Sequence, residues 1–306
     1  FKQKTAYEIG VRLVGSEMCI RDSFLIESSS FLLSWHGVFS FIAVASAVFL
    51  VGRWAPLRNI NPDDVYSIAV WAIISGIVGA RFVHVIDHLQ TGPNYLENPL
   101  QIFAIWSGGI GVWGGILGGA IGGITYGAIK KMPVMQIADL TAPAMLMVQS
   151  IGRLGDIVNG EHCAKATDYF FGFIWTNAQS AAVYCANTGL NTAVHPVIAF
   201  EIFWNLTALM LLWNLKDRIK PAGMLFCLYL ALYSTGRFLV TFLREDRIWG
   251  LGLQEAQFIS IAVVVIMVPL LVFKARFGEP DQIRSEMIEA VPQPSRAERR
   301  RAQASD

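Results

Sequence analysis

Charge is scarce in this chain. Lys, Arg, Asp and Glu make up 15% of the 306 residues while 54% are hydrophobic, and the mean hydropathy is +0.47. That balance is too apolar for a soluble domain. The formal net charge of +1 gives no sign of a basic field, so no nucleic-acid partner is expected. The five histidines come with no HExxH or comparable ligand spacing, so no metal site is expected, and no cofactor is implied. Residues 1–23 have no apolar core of signal-peptide length and mix Lys2, Lys4, Glu8, Arg12, Glu17, Arg21 and Asp22. The string from Lys4 to Ser23 resembles translated adapter read-through at the end of an assembled reading frame. It is expected to be non-native, and the fold is read from residue 24 onward.

The apolar residues fall into runs. A bilayer core needs about 20 of them per helix, and seven stretches qualify, near 31–52, 66–89, 101–127, 134–158, 196–215, 222–243 and 255–273. The predicted fold class is an all-α polytopic membrane protein with seven transmembrane helices. Lys and Arg collect in alternate loops: Arg53 and Arg58, Lys130 and Lys131, Lys216, Arg218 and Lys220, then Lys274 and Arg276. By the positive-inside rule those loops are cytoplasmic, which puts the N-terminus outside and the C-terminus inside. The expected organisation is a seven-helix transmembrane domain over 24–277, a small extracytoplasmic head inserted at about 160–195, and a disordered cytoplasmic tail over 278–306. Within the head, the alternation from Tyr169 to Trp175 suggests a short strand. Cys163 and Cys185 share that loop, where an oxidising compartment permits a disulfide, while Cys227 is expected to pack within a helix.

The segment Gly152-Arg153-Leu154-Gly155-Asp156-Ile157-Val158-Asn159-Gly160-Glu161 places charge at the end of a long apolar run. A charge in the bilayer costs roughly 2.5–3.5 kcal/mol on insertion scales, so it marks a functional site unless it snorkels. At 1.5 Å per helical residue, polar groups from five helices reach the same outer depth. They are His36 on the first helix; Arg81, His84, Asp87 and His88 on the second; Arg153 and Asp156 on the fourth; His195 and Glu201 on the fifth; and Tyr233, Arg237 and Arg244 on the sixth. Arginine forks match phosphate oxygens, which predicts an anionic phospholipid headgroup as ligand. In the third helix, Gly111, Gly115, Gly119, Gly123 and Gly127 repeat every four residues. Such a face is read first as close helix packing, with a groove for an acyl chain, flanked by Trp106 and Trp113, as the functional alternative.

Over about residues 31–273 these motifs resemble the prolipoprotein diacylglyceryl transferase family. The main carrier is GRLGDIVNGE at 152–161. Supporting it are SGIVGARF ending at Phe82, the Trp106-Ser107-Gly108-Gly109 turn with Trp113-Gly114-Gly115, HPVIAFE at 195–201, and Tyr233 followed by Arg237 and Arg244. The resemblance implies an enzyme of the bacterial cytoplasmic (inner) membrane, its site facing the outer leaflet. It would move the diacylglyceryl group of phosphatidylglycerol to the lipobox cysteine of a prelipoprotein signal peptide and release glycerol phosphate. Arg153 and Arg237 would hold phosphate and glycerol oxygens, with Arg244 at the rim. Asn159 and Glu161 would orient the headgroup or the arginines, and Tyr233 would support by hydrogen bonding. Asp156, Gly160, Arg81 and Trp113 would complete the lipid site. All these elements are in one chain, so a monomer is expected.

The chain departs from the family pattern at several positions. Trp113 replaces the histidine often proposed as base, His36 an early tyrosine, Asp156 the asparagine of the signature, Ala164 a glycine and Thr241 a glutamate. His36, His84, His162 and His195 are the candidate substitutes for a base, or the arginine field alone lowers the thiol pKa. The competing readings are a non-catalytic phospholipid-binding protein and a transporter or flippase. The halves do not look alike, and the polar groups sit at one face rather than the midplane, which argues against the transporter.

Overall fold

The computed structural model describes residues 24–28, 31–89, 95, 98–104, 109, 111–160, 162–176, 180–185, 189–246, 248–279, 285 and 289, with side chains from residue 37 onward. Outside this set lie residues 1–23, the side chain of His36, Trp106 with Ser107 and Gly108, Glu161, and nearly all of the 278–306 tail.

Two short strands, β1 (Phe24–Ser28) and β2 (Phe31–Ser34), pair antiparallel ahead of the first helix. The helices are α1 (Trp35–Trp54), α2 (Pro62–Asp87), α3 (Val112–Ile129), α4 (Val134–Asn159), α5 (Val197–Leu215), α6 (Met224–Thr241) and α7 (Glu255–Lys274). Among the described residues, seven helical spans are long and apolar enough to cross a membrane. They leave Phe41, Val78, Ile121, Phe203 and Val265 between 64% and 75% exposed, surfaces suited to lipid rather than water. This is a multi-pass membrane architecture.

Local chemistry sets the helix ends. The Asn61 side chain accepts a hydrogen bond from the Asp63 amide at 3.1 Å, Pro62 takes the first helical position, and Asp63 and Asp64 occupy the first turn of α2. Each satisfies or complements the unpaired amides and partial positive charge there. The third run departs from expectation. Helix α3 starts only at Val112, preceded by a 3₁₀ turn at Pro99–Phe103 and by Gly109 with a φ of +79°, a conformation no right-handed helix accommodates. The strand suggested over Tyr169–Trp175 shrinks to β3 (Phe173–Ile174), paired with β4 (Ala193–Val194).

In lipid the tails are as apolar as leucine, so helix association rests on packing and hydrogen bonds rather than water exclusion. Helices α2 and α3 show this most directly. A Cβ on Gly79 would overlap the Gly114 carbonyl, and one on Gly118 would stand 2.6 Å from the Ser75 carbonyl oxygen. The glycine face of α3 is thus occupied by α2, which assigns it to packing. The main core lies among α4, α5 and α6, where Leu146, Leu212, Ile219 and Tyr229 meet. Between α5 and α6, the Trp204 ring lies over Gly236 and donates its indole N–H to the Leu232 carbonyl at 2.8 Å. That contact sets Arg237 beside the first turn of α5.

Candidate active site

Helix α4 ends at Gly160, whose φ of +60° lets its amide bond back to the Asp156 carbonyl at 2.9 Å. The reversed chain returns over the helix end. Ser180 Oγ donates to the Gly160 carbonyl at 3.0 Å, and the Ala182 amide donates to it at 2.7 Å. A disulfide joins Cys163 to Cys185 across a Cα–Cα distance of 5.5 Å. Residues 163–167 then run between two other segments. The Lys165 amide donates to the Leu243 carbonyl and the Glu245 amide to the Cys163 carbonyl. On the other side, Thr167 donates to Ala193 and His195 to Lys165. Ala164, 2% exposed, bridges Arg244 in this lattice. The backbone therefore draws the ends of α4 and α6 and the start of α5 into one place.

An ion cluster stands where they meet. Glu201, one turn into α5, takes Arg153 Nε on one oxygen at 2.5 Å and Arg237 Nη1 on the other at 2.5 Å, with Arg244 Nη1 at 3.8 Å. Arg153 also donates to Asp156 Oδ2 at 2.7 Å, and the same oxygen lies 2.9 Å from His162 Nε2. Arg244 forks onto Asp246 at 2.6 and 3.2 Å. The charges of Arg153, Arg237 and Arg244 are balanced by Asp156, Glu201 and Asp246, which permits their burial. Burial alone would raise the Asp246 carboxyl. The hydrogen bond and charge of Arg244, with Arg237 and His162, more than reverse that and hold it below the usual carboxylate range. His162 is held below the ordinary histidine value chiefly by burial, with Arg244 and Arg153 adding to the effect and Asp156 opposing it.

Two features leave hydrogen-bonding capacity and space at the cluster. Arg244 Nη1 is buried without a hydrogen-bond acceptor among the described residues. A Cβ on Gly152 would meet nothing within 4 Å, so the helix surface next to Arg153 is open. Tyr233 stacks on Tyr229 with ring centroids 6.2 Å apart, one turn before Arg237, and Asn159 is buried in the last turn of α4.

The other expected residues gather elsewhere. The Arg81 guanidinium donates to the carbonyls of Ile102, Gln101 and Gly109 at 2.8, 2.6 and 2.9 Å and lies over the Tyr95 ring, so it ties the 99–109 connection to α2. His84 stacks on His88 at 4.1 Å and packs against Gly109. Trp113 stands exposed in the first turn of α3. His195 lies against Tyr169 at 5.8 Å. Glu201, which the sequence placed at the same depth, and Asp246, which it did not single out, are integral to the cluster. Glu201 carried the same signal as Arg153, a charge at the end of an apolar run, whereas Asp246 reads as an ordinary loop acid. A cavity of about 200 Å³ lined by Trp54, Arg58, Asp139 and Trp213 lies at the opposite end of α4, α5 and α6, away from this chemistry.

A family profile described as prolipoprotein diacylglyceryl transferase matches residues 23–273. The chain belongs to the prolipoprotein diacylglyceryl transferase family. Among curated relatives named phosphatidylglycerol-prolipoprotein diacylglyceryl transferase, that of Synechococcus elongatus is 31% identical over 268 residues, covering 85% of this chain and 90% of its own. Those of Trichormus variabilis and Symbiobacterium thermophilum are 31% and 30% identical, with 79% and 83% of this chain and 86% and 93% of theirs covered. The family match includes every residue of the ion cluster.

Proposed function

We propose that this chain is a membrane transferase that moves the diacylglyceryl group of phosphatidylglycerol to the lipobox cysteine of a prolipoprotein. The carrying observation is the convergence of Arg153, Arg237 and Arg244 on Glu201, with one buried Arg244 N–H lacking an acceptor. A thiolate attacks the glyceryl carbon, the C–O bond breaks towards the phosphate, and a thioether forms as glycerol phosphate leaves. The arginines suit the charge that develops on the leaving phosphate, where fixed donors in a dry site act most strongly. In the resting cluster they are shared with Glu201, so a bound phosphate competes for them. Arg81 serves by holding the 99–109 connection, and Tyr233 and Asn159 line the approach. The site faces the outer leaflet of the bacterial inner membrane, an orientation supported by the loop lysines and arginines.

The test is transfer of labelled diacylglycerol from phosphatidylglycerol to a lipobox peptide by detergent-purified protein. Wild type should turn over, and Arg153→Ala and Arg237→Ala should each lose at least about 10²-fold, the cost of removing one charge-stabilising donor. Folded wild type that binds phosphatidylglycerol without turnover would make it a binding protein and sink the transferase reading.

A further inference from the structure

The reaction needs a thiolate, and a free cysteine is only a few per cent ionised at neutral pH. The Trp113 indole, a donor only, cannot take the proton. The described histidine side chains differ sharply in surroundings. His84 and His88 stack on each other beside Tyr95, and His195 lies against Tyr169. His162 alone among them contacts the arginine cluster.

We infer that His162 and Asp156 form the dyad that deprotonates the incoming lipobox thiol, with His162 as the catalytic base and Asp156 as its positioning residue. This rests on the transferase reading above. Asp156 Oδ2 stands 2.9 Å from His162 Nε2, a hydrogen bond that exists only when Nε2 carries the proton. That tautomer leaves the lone pair on Nδ1, which has no hydrogen-bond partner among the described residues, on a side chain that is 17% exposed. Arg153 Nη1 lies 2.7 Å from Asp156 Oδ2 and also 2.7 Å from Nε2, and it can donate to Nε2 only in the other tautomer, so the Nε2–H form belongs to the state in which a bound phosphate draws Arg153 away from the ring. The charged and titratable groups facing the ring are Arg153 and Asp156 from α4, Glu201 from α5, and Arg244 and Asp246 beyond α6.

The step balances. The thiol proton passes to Nδ1, and the sulfur lone pair forms the C–S bond. The C–O electrons leave on the phosphate of glycerol phosphate, and the imidazolium, neutralised by Asp156, returns its proton to solvent. Burial keeps the resting ring neutral, as a base must be.

The experiment measures the kcat/KM of wild type, His162→Ala, His162→Gln and Asp156→Asn against pH, with lipobox peptides bearing cysteine or selenocysteine. Bound phosphatidylglycerol serves as the check on folding. The wild-type rate should rise with pH through one group below the ordinary histidine value and then level off. Both His162 variants should lose this plateau and about 10²–10⁴-fold at neutral pH, and added imidazole should partly restore His162→Ala. Asp156→Asn should fall between wild type and the His162 variants. With selenocysteine, already ionised at neutral pH, the His162 defect should nearly vanish, a rescue no structural role would show. A cysteine-peptide rate and pH profile unchanged in His162→Ala, or an equal defect with both nucleophiles, would overturn the dyad. A wild type inactive with both peptides would overturn the transferase reading itself.

Discussion

Glu201 is the residue on which the cluster turns. Its two oxygens hold Arg153 and Arg237 from different helices, with Arg244 just beyond hydrogen-bond range. Removing one partner of a buried ion network costs more than the network itself contributes, because the remaining charges stay buried and unbalanced. Glu201→Gln should therefore lower stability by about 3–5 kcal/mol, read as a shift in the unfolding transition in detergent. A variant as stable as wild type would mean the arginines are already neutralised by other groups. Arg153 and Asp156 were legible in the sequence because charges three residues apart end an apolar run. That Glu201 and Asp246 join the same network was not, since they come from other segments that only the packing of three helices brings there.

At the scale of elements, the contact between α2 and α3 sets two glycines of one face against each other. A Cβ on Gly118 would press on backbone, 2.6 Å from the Ser75 carbonyl oxygen, whereas one on Gly115 would find its nearest neighbour at 3.6 Å, the Ala80 Cβ. Gly118→Ala should destabilise by about 1–3 kcal/mol through overpacking. Gly115→Ala should be neutral or stabilise by up to about 1 kcal/mol through helix propensity. Thermal unfolding of the two variants side by side decides it, and equal effects would contradict the packing described. The repeat of glycine was plain in the sequence, but packing face and acyl groove both fitted it. The position of α2, supplied from 30 or more residues away along the chain, settled the assignment.

For the whole molecule, the cationic loops at one end and the arginine cluster at the other make a prediction about orientation. In intact cells, a membrane-impermeant maleimide should label Tyr169→Cys and should label Lys131→Cys only after permeabilisation, both in a background with Cys19 and Cys227 replaced by serine. The reverse pattern would place the cluster on the cytoplasmic side.

The sequence by itself determined the seven spans, most of their ends, the family and the arginines, because these depend on local composition and on motifs contiguous along the chain. Tertiary structure decided the rest. It shortened the third helix to begin at Val112, gave the glycine face of α3 to α2, and turned Arg81 onto three loop carbonyls. It also gathered Glu201, Asp246 and His162 around Arg153, Arg237 and Arg244. Those outcomes depend on which groups meet across helices, and a hydrophobic pattern records only that a helix will be apolar, not what its polar residues will face.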